Sequence, residues 1–161
     1  QEVLDCRNHY SFTENPDSLG DDSVFEYNFT TEDGENYRVT LVAHGPNNNL
    51  DKPHWYVDFD TISPMDFELT DQFDQLNVLC TVVAVIKEFV NNARPKIESD
   101  HFRQIENFVG VAEQEFLGDT RRARIYKYIL RNEGIPAEIT TIGSETVQYS
   151  KITFVIPLLG R

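Results

Sequence analysis

A period-two alternation over residues 24–59 constrains this chain more than any other feature. Phe25, Tyr27 and Phe29 point one way, with Glu26 and Asn28 opposite. After Glu32-Asp33-Gly34-Glu35 the pattern resumes. Tyr37, Val39, Leu41 and Ala43 alternate with Arg38, Thr40 and His44, and then Trp55, Val57 and Phe59 with Tyr56, Asp58 and Asp60. Alternation of this kind predicts half-buried strands. Asp33-Gly34 between two alternating runs predicts a hairpin, and Gly45-Pro46-Asn47-Asn48-Asn49 a loop. Three antiparallel strands with one aromatic face need a covering layer.

Residues 71–93 supply that layer. Ser63-Pro64 ends the third strand, Thr70 or Asp71 can cap a helix, and Pro95 stops it. Phe73, Leu76, Leu79, Cys80, Val83, Ile86 and Val90 form one apolar stripe, and Val78, Val82, Val85 and Phe89 widen it, so the helix is expected to be buried on more than one side. A fourth strand is expected over 105–113. A basic helix over 120–132 starts at Asp119 or Thr120 and closes at Gly134 before Pro136. A final hairpin turns at Gly143-Ser144. The predicted class is therefore α/β in the α+β sense. The sheet is mostly antiparallel, in the order β-β-β-α-β-α-β-β, with one long buried helix and one basic helix. Residues 1–23 read as a polar N-terminal arm and 24–161 as a single domain.

Charge is laid out unevenly. Residues 1–80 hold seventeen Asp/Glu and three Lys/Arg, 3 − 17 = −14, while residues 81–161 hold ten and eleven, 11 − 10 = +1. The net charge of −13 thus sits in the first half, where it repels nucleic-acid phosphates and favours a basic protein partner. The expected partner-binding carboxylates are Asp21, Asp22, Glu32, Asp33, Glu35, Asp58, Asp60, Asp66 and Glu68. A rigid double row of them would imitate duplex DNA; the plainer alternative is a solvated acidic surface. Arg121, Arg124, Lys127 and Arg131 form a basic stripe that, near Arg94, Lys96 and Arg103, could make a basic patch for phosphate or nucleic acid; two plainer readings compete and are favoured in a chain of net charge −13. On these the stripe is a solvated helix face, or a counterpart to the acidic half within the chain or in a second copy of a homo-oligomer.

Motifs of chemistry are sparse. His9, His44, His54 and His101 are scattered, and no G-x-S-x-G is present. His54, Asp58, Asp60, Asp66 and Glu68 could approach a hard cation, but their spacing matches no fixed ligand set, so no metal and no cofactor are expected. Cys80 lies within the apolar stripe and reads as a small core residue; with Cys6 it makes no disulfide framework, which predicts a reducing compartment. Asn28-Phe29-Thr30 fits a glycosylation sequon by chance. The run Val78–Ile86 falls short of the ~20 apolar residues that span a bilayer, and no signal peptide is visible, so no membrane is expected.

The order of elements, the segment Arg124-Ile125-Tyr126-Lys127-Tyr128-Ile129 before Gly134, and the terminal strand Ile152-Thr153-Phe154-Val155-Ile156 resemble the core of GNAT-type acetyltransferases and of small phage-encoded proteins with degenerate versions of that fold. Ala123 precedes Tyr126 by three residues, where that family often has four. The resemblance implies a coenzyme A site at a Gln/Arg-x-x-Gly-x-Gly/Ala turn between the third strand and the long helix. This chain has Ile62-Ser63-Pro64-Met65-Asp66-Phe67-Glu68-Leu69-Thr70-Asp71 there. It offers no glycine, one proline without a donor, and carboxylates that repel phosphate. The expectation is a non-enzymatic, phage-type viral interaction protein, cytoplasmic in the host or part of the virion. It would act as an inhibitor of a host factor or as a virion component. The alternatives are a divergent GNAT-type acyltransferase, with Tyr126 or Tyr128 as acid, and a DNA-mimicking anti-restriction protein.

Overall fold

The computed structural model describes residues 6, 8–15, 22–45, 52–62, 72–114 and 118–158. Its elements are β1 (Phe12–Glu14), β2 (Val24–Thr30), β3 (Asn36–His44), β4 (His54–Thr61), α1 (Gln72–Glu88), α2 (Asp100–Arg103), β5 (Asn107–Glu113), α3 (Arg121–Asn132), β6 (Ala137–Gly143) and β7 (Gln148–Val155). The class is α+β: a seven-stranded mixed sheet in the order β1-β2-β3-β4-β5-β7-β6, antiparallel except where β4 meets β5.

Alternation sets the faces. Tyr27, Phe29, Tyr37, Val39, Leu41, Trp55 and Val57 are buried under the helices. Phe89, just beyond α1, makes edge contacts with Phe25 and Trp55 at 5.1 and 4.8 Å. Tyr126 of α3 packs on Phe154 of β7. Both α1 and α3 therefore cover the same face. Among the described residues no helix covers the other face, which carries Glu26, Asn28, Arg38, Thr40, Tyr56, Asp58, Asp60, Val109, Lys151 and Glu138. The segment Gln75–Lys96 is long and apolar enough to span a bilayer by length and composition. Here it is the core helix, with Val82, Val85 and Ile86 at 0% exposure.

The predicted helix continues as expected to Ala93, but its last turn, Phe89–Ala93, is π-helical, and a 3-10 turn, Arg94–Lys96, carries Pro95. The helix α2 was not expected; Ser99 starts it by accepting from the Phe102 amide at 3.3 Å. Where the sequence predicts a loose polar arm over 1–23, Phe12–Glu14 is an edge strand paired with Tyr27–Phe29.

The cysteine expectation is overturned. Cys6 and Cys80 are joined in a disulfide across 74 residues. Cys80 is buried in α1 as expected, yet it ties the N-terminal segment to the core helix. The same segment is held by the Tyr10 amide, which donates to the Thr81 hydroxyl at 2.9 Å, and by Tyr10 stacking on Phe29. Sequence spacing cannot reveal such a pairing, because it depends on where the arm docks. With both cysteines paired, the cysteine content gives no reason to expect a reducing compartment.

Candidate functional surface

Among the described residues, Glu32, Asp33, Asp58 and Asp60 lie toward one end of the β2–β3–β4 unit. Asp58 and Asp60 alternate with buried Val57, so both project from the open sheet face, opposite Thr40 and Arg38. Arg38 Nη2 lies 3.4 Å from Asp60 Oδ2, an exposed ion pair. Burial first, and then the charge of Asp60, push the Asp58 carboxyl above its ordinary range; a backbone bond from Phe59 and the charge of Arg38 oppose this. Burial and Asp58 also raise the Tyr56 phenol.

Glu32 and Asp33 are exposed at the β2–β3 turn, next to the Asp60 end because Asn36 and Tyr37 pair with Thr30 and Thr61. That turn closes through the Gly34 amide to the Thr31 carbonyl at 3.0 Å, with Gly34 at φ 87°. Only glycine takes that conformation without strain, as the Asp-Gly signal predicts. Glu35 is half-buried. Asp22 is used internally, accepting from the Glu98 amide at 3.2 Å. Asp21, Asp66 and Glu68 lie outside the described residues. The chain thus brings Glu32, Asp33, Asp58 and Asp60 to one region and sets Asp22 apart.

The basic stripe lies on the other side of the molecule. Ala123, Tyr126, Ile129 and Leu130 are the buried face of α3, leaving Arg121, Arg124 and Arg131 exposed and Lys127 half-buried. Arg121 forks onto Asp119 at 3.0 and 3.1 Å. That guanidinium holds the Asp119 carboxyl below the ordinary range. Asp58 and Asp60 project from the sheet face opposite α3, and among the described residues no ion pair joins them to the stripe. Arg94 does not join the stripe: it is 1% exposed and bound to backbone carbonyls.

A second feature sits between β4 and β5. Their parallel pairing covers only Trp55–Val57 against Phe108–Gly110. Beyond Val57 and Gly110 no described strand pairs with these edges of β4 and β5. Tyr126 lies there from the helix side. A Cβ on Gly110 would sit 3.5 Å from the Tyr126 hydroxyl, which is buried without a hydrogen-bond partner and whose acidity burial suppresses. The sequence pointed to this tyrosine only through the family resemblance. The loop before α1 expected to carry or lack a phosphate site, residues 63–71, lies outside the described residues.

The structure also pairs two histidines that look scattered in sequence, His44 and His54, across β3 and β4. The loop between those strands hides their register from any local reading. Among the described residues no three His, Cys, Asp or Glu side chains converge as metal ligands, so the cation cluster weighed from His54, Asp58 and Asp60 does not form there. The described residues line shallow clefts. One, of about 530 Å³, is lined by Ser11, Thr13, Asn28, Thr30 and Asn36; another, of about 440 Å³, lies beside the disulfide with His9, Lys87, Glu88 and Glu133. Comparison with protein-family models, with curated proteins and with solved structures finds no match to this chain.

Proposed function

We propose that this chain is a non-enzymatic binding protein whose acidic sheet end engages a basic protein partner. The observation that supports this reading is the pair Asp58 and Asp60, two residues apart on an uncovered face and compensated by Arg38. Like charges held close together on an exposed surface are relieved by an incoming Lys or Arg, and relief of that repulsion adds to the affinity. A disulfide-tied arm suits action in an oxidising setting, such as a virion surface or outside the cell, better than a reducing cytoplasm. The test is a titration with an oligolysine peptide across ionic strengths that shorten the screening length from ~10 Å to ~3 Å. Affinity should fall with salt and drop at least about fivefold in Asp58→Asn/Asp60→Asn, roughly 1 kcal/mol. Equal affinity in wild type and the double variant removes the assignment.

A second reading is a divergent GNAT-type acyltransferase. It draws on the parting of β4 from β5 and on the position of the Tyr126 hydroxyl behind Gly110, which burial keeps protonated while making it a weaker acid than a free phenol. Acetyl-CoA should then raise the melting temperature of the wild type, with a stabilisation of ~2.7 kcal/mol at a hundred times its Kd. No shift at millimolar acetyl-CoA disposes of this reading.

A further inference from the structure

His44 and His54 meet on the open sheet face, at the end of β3 and β4 away from Asp60. They are cross-strand partners, with ring centroids 5.1 Å apart and ring planes 11° from parallel. Tyr56 holds the His44 ring edge-on, with centroids 5.9 Å apart. His54 Nδ1 lies 2.9 Å from the Lys52 carbonyl oxygen. A carbonyl oxygen only accepts, so Nδ1 carries a proton, and in the neutral ring Nε2 is then the nitrogen with the free lone pair. A backbone carbonyl that orients an imidazole in this way is the usual outer partner of a metal-ligating histidine. His44 is exposed, and no described group hydrogen-bonds its ring nitrogens. Directly opposed residues on antiparallel strands hold their Cβ atoms about 4.5–5.5 Å apart, so modest side-chain rotation brings one nitrogen from each ring onto a shared ion. The net charge of −13 raises the local concentration of cations.

We propose that His44 and His54 form a two-imidazole site for a first-row transition metal, Cu(II) before the others, with water completing its coordination. Imidazole is a suitable ligand for Cu, Ni and Zn, and the general affinity order places Cu(II) highest. Two protein ligands leave open positions, so the ion is exchangeable and can accept a further ligand. Bound metal bridges β3 to β4 across the connection 45–53. The site is separate from Asp58 and Asp60, which lie further along β4, and it stands whether or not a basic partner binds there.

The test is titration of the whole chain with Cu(II) alone, by calorimetry and electron paramagnetic resonance. One ion per chain with a two-nitrogen hyperfine pattern is expected. His44→Ala and His54→Ala should each weaken binding at least ~tenfold and collapse the pattern to one nitrogen. His9→Ala and His101→Ala should change neither. Far-ultraviolet circular dichroism checks that the variants, both at surface positions, keep the fold. A one-nitrogen spectrum in the wild type needs no variant to interpret, and it overturns the site. So does unchanged affinity in both His44→Ala and His54→Ala.

Discussion

Arg94 offers a sharp quantitative test of how this fold closes. Its guanidinium is buried, 1% exposed, at the end of the core helix. Nη1 donates to the Ile156 carbonyl at 2.9 Å and, more weakly, to the Ile105 carbonyl at 3.4 Å, while Nη2 donates to the Pro157 carbonyl at 3.1 Å. Glu106 completes the clip. Its backbone carbonyl accepts from the Ile156 amide at 2.9 Å and its carboxylate from the Leu158 amide at 2.7 Å. Burial lowers the Arg94 pKa and the Glu106 charge raises it, and an arginine so placed remains protonated. Arg94→Ala removes two well-made charge-assisted bonds, each worth about 1.5–3 kcal/mol, and strands the carbonyls they satisfied. The two bonds sum to about 3–6 kcal/mol; breaking a buried charged interaction from one side costs about 3–5 kcal/mol, and that narrower range is the expectation. For a chain of this length, each kcal/mol moves the melting temperature by about 2–4 °C, so a fall of roughly 6–20 °C is expected. Arg94→Met keeps most of the apolar stem and should lose about 2–3 kcal/mol. Urea unfolding gives the energies, and amide exchange at Ile156 and Leu158 shows whether the tail detaches. A loss below ~1 kcal/mol in Arg94→Ala, with unchanged protection at those amides, would refute the reasoning.

Four further outcomes follow from the geometry. Reducing the Cys6–Cys80 bond, or Cys80→Ser, opens a loop of 74 residues, for which chain entropy gives about 4.4 kcal/mol; two titratable thiols in the native unreduced protein would contradict the bond. At Gly143, φ is 119° and an added Cβ would overlap the Val147 carbonyl oxygen, so Gly143→Ala should cost more than ~2 kcal/mol in urea unfolding. Gly34, at φ 87° with nothing near its missing Cβ, should cost only ~1 kcal/mol, and equal losses at the two sites would be unexpected. The folded-state pKa of Asp58 is raised above 3.8, so its contribution favours folding when protonated and fades as pH rises through that raised value. Asp58→Asn should flatten this part of the stability profile and be more stable at neutral pH by a few tenths of a kcal/mol, since the group is largely exposed; a less stable variant reverses the sign. Tyr126→Phe removes a hydroxyl with no partner and should leave stability within ~0.5 kcal/mol or raise it; a thermal scan showing a loss above ~1 kcal/mol would reveal a bond to that oxygen.

Much of the architecture was legible in local pattern. The alternation from Phe25 to Phe59 predicted three strands and the inward side of each, because the side-chain period of a strand is a property of its own residues. The apolar stripe from Phe73 to Val90 predicted the covering helix, and Gly134 with Pro136 marked where α3 ends. Asp33-Gly34 and Gly143-Ser144 marked turns, and in the structure both glycines lie at positive φ, 87° and 119°. The charge split was legible by counting, but which carboxylates share a face was not: Asp58 and Asp60 project from the open sheet face, while Asp22 accepts from the Glu98 amide. What only the tertiary structure decided is adjacency. That β5 lies parallel beside β4, and that β7 inserts between β5 and β6, follows from how helices return the chain to the sheet. No window of a dozen residues records that path. The same holds for Cys6 meeting Cys80, for His44 opposing His54 across a loop that conceals their register, and for Arg94, which composition assigns to a basic surface. Its burial depends on carbonyls more than sixty residues away, because a buried charge is tolerated only where the rest of the chain arrives with partners to satisfy it.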